Sequence, residues 1–284
     1  MRLDALYRTL KTRFEGAGRD SPALAARMLI KAAAFLADAD FIAAPETEIR
    51  TGAADAIEAM ARRHEAGEPV SRILGLREFR GLPFIVTPDV LDPRPDTETL
   101  IDAAARLFAD RPPGRVLDLG AGTGCIAIAL LDLWKGAEGV AVDVSGAALD
   151  VVRRNAAMNG VADRLETVHG SWFDALPPGR TFDLIVSNPP YIPNRDIPNL
   201  DVSVRNFDPI LALDGGIEGF DSYDHIFSSL SDYLDIDGAA LFEIGMGQQD
   251  GIARLAEKHG LSMIAAYPDL AGISRVLEVR RGDK

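Results

Sequence analysis

The pentapeptide Ser187-Asn188-Pro189-Pro190-Tyr191 follows the apolar run Leu184-Ile185-Val186, and its residue types are suited to holding a flat NH2 group. The Asn188 carboxamide offers a carbonyl acceptor, while Pro189 and Pro190 remove two backbone donors and fix φ near about −65°. Proline also drives the residue before it toward extended conformations, so Asn188 and Pro189 are both biased away from helix. The chain stops rigidly, with carbonyls free to point at a ligand. A primary amide or an exocyclic amine carries two N–H donors in one plane, which two fixed acceptors can orient, and Tyr191 supplies an aromatic wall. Taken alone, the same residues also suit a plain loop after a strand.

A second stretch bears on what lies opposite. Val116-Leu117 leads into Asp118-Leu119-Gly120-Ala121-Gly122-Thr123-Gly124 and then a helical run from Cys125 to Trp134. A dinucleotide fingerprint requires G-x-G-x-x-G, and Cys125 occupies the place of its third glycine, which disfavours a nicotinamide or flavin dinucleotide. Asp118-x-Gly120-x-Gly122-x-Gly124 instead resembles the cofactor loop of S-adenosylmethionine-dependent methyltransferases of the Rossmann-like class. The resemblance implies that Gly120, Ala121, Gly122, Thr123 and Gly124 pass beneath the amino-acid end of that cofactor, with Asp118 and Asn188 also at the cofactor site.

Other positions fit around this loop. Asp143 ends the run Gly139-Val140-Ala141-Val142, where a carboxylate can accept both ribose hydroxyls; a solvent-facing strand-end acid is the alternative. Trp172 or Phe173, after the next strand, can stack on adenine or simply pack in the core. Pro93-Arg94-Pro95-Asp96-Thr97-Glu98 holds the chain extended, and Asp96 or Thr97 can cap the helix that follows. Arg94, Thr97 and Glu98 then line the cofactor pocket from above, or form an ordinary linker and cap.

These residues need elements to carry them. Leu3, Leu6, Tyr7, Leu10 and Phe14 recur at helical spacing, Ser21-Pro22 starts a second helix by N-cap and N1 proline, and Ala53 to His64 forms a third. Phe79 to Val86 reads as a hairpin or extended linker. From Arg115 onward short apolar runs alternate with helical segments, ending in two runs, Met263 to Tyr267 and Val276 to Val279, that suggest an antiparallel pair. The expected fold is α/β: a doubly wound sheet with a terminal antiparallel strand, ligands at its carboxyl ends, plus a small N-terminal helical bundle and a hairpin linker. Ile192 to Gly216, rich in Pro, Asn and Asp, reads as a long active-site loop.

Composition narrows the function classes. The 284 residues are 47% hydrophobic and 26% charged, as in soluble globular proteins. No secretory signal and no apolar run near the ~20 residues of a membrane span is visible, so a cytoplasmic location without membrane attachment is expected. The lone Cys125 allows no intrachain disulfide, and His64, His169, His225 and His259 fall in no metal-ligand spacing, so no metal is expected. A net charge of −13 opposes a phosphate backbone and favours a protein partner over nucleic acid.

Taken with the glycine loop, Asn188-Pro189-Pro190-Tyr191 resembles the signature of methyltransferases acting on planar nitrogen, either the N6 amine of adenine or the side-chain amide of glutamine. Pro93-Arg94-Pro95-Asp96-Thr97-Glu98, with Gly75, Glu78 and Phe79 upstream, resembles the HemK/PrmC family of protein-(glutamine-N5) methyltransferases. Leu213-Asp214-Gly215-Gly216, and Leu241-Phe242-Glu243-Ile244-Gly245 with Gln248, fit the same family. The similarity covers nearly the whole chain, most strongly from about residue 69. It implies a substrate-docking helical domain at 1–73, a hairpin linker at 74–95 and a catalytic domain at 96–284, with Glu243 joining the cofactor site. It also implies S-adenosylmethionine as methyl donor, S-adenosylhomocysteine as product, and the Gly-Gly-Gln glutamine of peptide chain release factors as acceptor, held by Asn188, Pro189, Pro190 and Tyr191. Arg72, Asp92 and Phe207-Asp208-Pro209 depart from the usual Tyr, aliphatic and Tyr-Glu-Pro, which touches the linker and docking detail. An adenine-N6 methyltransferase and a non-catalytic cofactor-binding docking module are the rival readings.

Overall fold

The computed structural model describes residues 1–282; the last two positions of the expected catalytic domain lie outside them. In chain order its helices and strands are α1 (Leu3–Gly16), α2 (Pro22–Ala34), α3 (Asp40–Ala43), α4 (Thr51–Glu65), α5 (Val70–Leu74), β1 (Leu76–Phe79), β2 (Leu82–Ile85), α6 (Glu98–Leu107), β3 (Arg115–Leu119), α7 (Cys125–Leu133), β4 (Glu138–Asp143), α8 (Gly146–Met158), β5 (Leu165–His169), β6 (Phe182–Ser187), α9 (Val202–Arg205), α10 (Asp221–Tyr233), β7 (Leu234–Glu243), α11 (Gln249–Lys258), β8 (Leu261–Pro268) and β9 (Ser274–Arg281).

Two compact units result, one of Met1–Leu76 with Asp201–Phe207 and one of Arg77–Leu200 with Asp208–Lys284. In the first, the helical spacing read from sequence buries Leu3, Leu6, Leu10 and Phe14 of α1 against Ala25, Ala26, Leu29 and Ile30 of α2 and Ile57 and Ala61 of α4. Ser21 precedes α2 at φ +48° and makes no side-chain cap bond, so the helix starts on Pro22 alone.

The second unit is a sheet of order β5-β4-β3-β6-β7-β9-β8, parallel from β5 to β7, with β9 antiparallel to both of its neighbours. Alternation along each strand feeds two cores. Val116, Ala141, Leu184 and Val186 pack beneath α6, α7 and α8, whereas Leu117, Val140, Ile185 and Phe242 pack beneath α10 and α11. Helix α11, which the sequence reading did not pick out, buries only Ile252 and Ala256, too few apolar positions to stand out at helical spacing. The segment 192–216 is ordered by short turns and α9 rather than by long elements.

The hairpin β1–β2 is tied to α8 through Asn155. Its Oδ1 accepts from Ile85 N at 2.7 Å, and its Nδ2 donates to Ile85 O at 3.1 Å and Thr123 O at 2.9 Å. Fully buried on the apolar face of α8, Asn155 thus links the hairpin to the glycine loop. Sequence reading missed it; a polar residue between Val152 and Ala156 on a buried stripe was the available signal.

Candidate functional site

At the carboxyl ends of β3, β4 and β6 the chain leaves the sheet in three turns that surround a cavity of about 510 Å³. Its floor is the glycine loop. Gly120, Gly122 and Gly124 adopt φ of +73°, +55° and +78°, the left-handed region that side-chain-bearing residues avoid. Gly120 N and Ala121 N both donate to Val142 O, at 2.9 and 3.0 Å, which folds the loop back onto β4. A Cβ on Gly120 would approach Trp172 Cζ3 to 3.3 Å, whereas one on Gly122 would meet nothing within 4 Å. The loop therefore presents bare backbone to the cavity at Gly122 and abuts the indole at Gly120.

Asp143 closes the loop from the neighbouring strand. Its Oδ2 accepts from Gly122 N and its Oδ1 from Ser145 N, both at 2.8 Å, and each oxygen keeps lone-pair capacity toward the cavity it lines. Burial raises the Asp143 carboxyl above the usual range, with those two backbone bonds opposing. Asp118 lies behind the loop, wholly buried. Its Oδ2 takes Ala127 N at 3.1 Å, and burial pushes its carboxyl up to about 7.

Gly120, Ala121, Gly122, Thr123, Asp143, Trp172, Arg94, Thr97, Asn188 and Pro190 all border the cavity. Others do not. Gly124 packs against Ile128 and Val152 and shapes the turn. Phe173 is buried beneath and stacks on Tyr233, centroids 4.6 Å apart at 14°. Glu98 is directed elsewhere, accepting from Arg80 N at 3.2 Å. Neither Asp96 nor Thr97 caps α6 with its side chain, because a 3-10 turn, Pro95–Thr97, runs straight into the helix. Thr97 is 2% exposed and its Oγ1 accepts from Asn188 Nδ2 at 3.3 Å instead.

The rim of the cavity around Asn188 is built from side chains of several segments. Ser187 pairs with Leu119 on one side and Phe242 on the other, and its hydroxyl donates to Leu119 O at 2.6 Å, which fixes the end of β6. After Asn188 and the two prolines, the chain pairs with residues 213–216. Ile192 N donates to Leu213 O at 3.0 Å and Gly215 N to Ile192 O at 2.9 Å. A Cβ on Gly215 would come within 2.7 Å of Tyr191 Cα, so the approach requires glycine. Gln248 Nε2 donates to Tyr191 O at 2.9 Å while its Oε1 accepts from Gly245 N at 2.9 Å. Pro189 and Tyr191 do not border this cavity but adjoin it through Asn188 and Pro190, and Tyr191, half-buried, packs on the core. Glu243, at the end of β7, is 2% exposed beside Thr97 and Asn188.

Two positions that depart from the family pattern turn out to be neighbours. Asp208 accepts from Asp92 N at 3.2 Å and is ion-paired with Arg94, so it joins the linker to the loop bordering the cavity. Among the lining residues that sequence reading missed, Pro88, Val90, Ser145, Leu211 and Ser222 come from segments without local chemical signal. Among the described residues no group of three or more His, Cys, Asp or Glu could hold a metal ion, and no helix is long and apolar enough to cross a membrane.

A bare glycine floor, a carboxylate with spare acceptors and an indole wall fit a nucleoside with a compact charged tail, and the volume is in the range of small-molecule sites. The comparisons with known proteins agree with that geometry. Residues 97–202 match the methyltransferase small domain, and residues 5–75 match the PrmC N-terminal domain. Two solved structures share the fold. They are a methyltransferase from Pyrococcus furiosus, 17% identical with TM-score 0.54 over 80% of this chain and 98% of the other, and the ribosomal protein L11 methylase from Lactobacillus delbrueckii subsp. bulgaricus, 19% identical with TM-score 0.53 over 73% and 99%. Among curated relatives, release factor glutamine methyltransferases from Bradyrhizobium diazoefficiens and Cereibacter sphaeroides are 42% and 41% identical. They cover 98% and 99% of this chain and 95% and 99% of their own lengths. That from Agrobacterium fabrum is 40% identical over 95% of this chain and 94% of its own. With such identity along nearly its entire length, the chain belongs to the release factor glutamine methyltransferase family.

Proposed function

We propose that the protein transfers a methyl group from S-adenosylmethionine to the side-chain amide nitrogen of the glutamine in the Gly-Gly-Gln motif of peptide chain release factors, leaving S-adenosylhomocysteine. The observation that carries this reading is the Asn188 carboxamide, anchored by its nitrogen on Thr97 at the rim of a glycine-floored cavity.

When bound, the cofactor supplies a methyl carbon activated by a sulfonium. The rest is positioning by the chain. The Gly120–Gly124 floor and Trp172 hold the nucleoside and tail, and Asp143 accepts from the ribose hydroxyls. An amide nitrogen is a poor nucleophile because its lone pair is delocalised into the carbonyl. Asn188 Oδ1 and the Pro189 carbonyl accept its two N–H groups, turn the lone pair toward the methyl carbon and favour pyramidalisation, with Tyr191 backing the amide side. Held by these residues, the amide nitrogen would take up the methyl group while the donor is left as a neutral thioether, and the surplus proton on nitrogen would pass to solvent. Holding reactants at near-attack distance supplies about 7–11 kcal/mol in good cases, so a strong base need not be invoked. The setting is cytoplasmic translation termination.

Mass spectrometry of release factor incubated with the protein and cofactor tests this: the Gly-Gly-Gln peptide should gain about 14 Da, one CH2, on the glutamine side chain. Tritiated cofactor offered with DNA in place of release factor tests the adenine-N6 alternative, which the charge of −13 disfavours. Tight cofactor binding with no turnover on either substrate would instead make the protein a docking module.

A further inference from the structure

Resting on the reading above, the geometry points to Gln248 as the positioning residue that holds the acceptor segment in register with the cavity, although Gln248 does not border the cavity itself. The segment has little with which to fix itself. Pro189 and Pro190 carry no N–H to donate, and their rings hold φ near about −65°. Asn188-Pro189-Pro190 is therefore a stiff rod that turns about its ends. One end is tied to the sheet by the Ser187 hydroxyl, which donates to Leu119 O at 2.6 Å. Beyond the other end, Ile192 pairs with Leu213 and Gly215, which joins one limb of the loop to its other limb rather than to the sheet. Gln248, in the turn between β7 and α11, makes that second tie: its Nε2 donates to Tyr191 O at 2.9 Å and to Gly219 O at 3.4 Å.

The direction of these bonds is set by backbone groups with no choice of role. The Gly245 N–H can only donate, and it meets Gln248 Oε1 at 2.9 Å. Tyr191 O and Gly219 O can only accept, so the amide nitrogen faces them with its two protons. A carboxamide satisfies all three groups at once. A carboxylate of the same shape would suit Gly245 N but set an oxygen against two carbonyl oxygens, and an apolar end would make none of the three bonds. Glycines close the space on both sides. A Cβ on Gly245 would lie 2.7 Å from Gln248 Oε1, and one on Gly219 would lie 2.6 Å from Nε2. The amide is left one seat and one orientation.

With both ends tied, Asn188 and the Pro189 carbonyl keep a fixed relation to the cavity. With the Gln248 bonds cut, the rod pivots on Ser187 and both acceptors shift together. A misplacement of about 1 Å from a change away from the chemistry costs up to about a hundredfold in rate, so the effect falls on transfer. The glycine floor and Asp143, which hang on β3 and β4, are untouched by it.

The experiment measures methyl transfer to release factor, beside calorimetry of S-adenosylhomocysteine binding, in two variants of nearly the same shape. Gln248→Met fills the space without hydrogen bonds, and its kcat should fall by about tenfold. Gln248→Glu, ionised at about pH 8, opposes the two carbonyls, and its kcat should fall by about a hundredfold. A residue that only filled space would give the reverse order, since Glu is closer to Gln in shape. In both variants KM for release factor and affinity for S-adenosylhomocysteine should stay within about threefold of wild type, and in an Asn188→Ala background either change should cost less than about twofold, because groups acting as a unit are not additive. Variants as active as wild type, a Gln248→Glu variant no worse than Gln248→Met, a loss shared equally by cofactor affinity, or the same loss without Asn188 each overturn the inference and leave the functional reading standing. Wild-type protein that methylates no release factor overturns that reading, and the inference with it.

Discussion

The two ends of the cavity are held by different physics. The cofactor end is a backbone structure: three left-handed glycines, a pair of amides on Val142 O and one carboxylate, all within the contiguous strand–turn–helix of residues 115–133 and the next strand. The acceptor end is a side-chain structure, in which Asn188, Thr97, Glu243 and Gln248 converge from four separate segments. Backbone shape tolerates variation in side chains around it, whereas converging side chains fail together. Substitutions should therefore separate binding of cofactor from transfer of the methyl group.

The strongest test of that separation is Asn188→Ala. Transfer should fall by about 10²–10³-fold, the cost of losing one oriented hydrogen-bonding group at a reacting centre, while cofactor affinity stays within a few-fold. Equal loss of both, measured by single-turnover kinetics beside calorimetry, would erase the distinction between the ends.

Next comes the pH dependence of stability. The folded-state carboxyl of Glu243 at about 7 lies above its ordinary value of 4.5, so the folded state holds a proton that the unfolded chain releases. Stability from this group is full below about pH 4.5 and is lost as pH rises to about 7. Glu243→Gln does not titrate; relative to wild type it should gain up to about 3 kcal/mol between pH 5 and pH 8 in urea unfolding. A pH-independent difference would show that the carboxyl is not buried as described.

Gly215→Ala should cost about 1–3 kcal/mol and lower transfer more than cofactor affinity, because the added Cβ lies within 2.9 Å of backbone at Tyr191 and Gly219. Thermal unfolding and turnover measured together would check it. The smallest effect is expected at Gly122→Ala. The Cβ has open space, so only the left-handed conformation is penalised, by about 1–2 kcal/mol, and the affinity lost should be that of the cofactor rather than the release factor.

Legibility followed the same division. The run from Val116 to Gly124 announced itself, because a strand, a tight turn and a helix start are local requirements that few residue types satisfy, and β3 and α7 lie where the spacing put them. The amphipathic faces of α1 and α4 were equally plain, whereas α2 buries Ala25, Ala26 and Ile30 beside Leu29 and leaves Leu24, expected on its apolar face, exposed. Thr97 is legible either as a helix cap or as pocket lining; it borders the cavity and caps nothing, and its bond to Asn188 arises only from the convergence of α6 with β6. Phe173 and Glu98 were expected at the cofactor, yet adjacent side chains diverge, leaving Trp172 on the cavity and Phe173 on Tyr233. Asn155 carries no local mark, since its partners lie 70 and 32 residues away.

What the sequence determined by itself was local backbone geometry: a rigid stop at Asn188-Pro189-Pro190-Tyr191 that suits either acceptors for an NH2 or a plain loop, and a glycine turn whose spacing disfavours a dinucleotide fingerprint. These are properties of φ restriction and missing Cβ atoms, which need no distant partner. What the Asn188 amide nitrogen meets was decided only when the start of α6 came to the end of β6 and set Thr97 Oγ1 as its acceptor at 3.3 Å. Hydrogen-bond direction depends on what lies on the far side of a group, and the chain cannot encode that until the strands are paired.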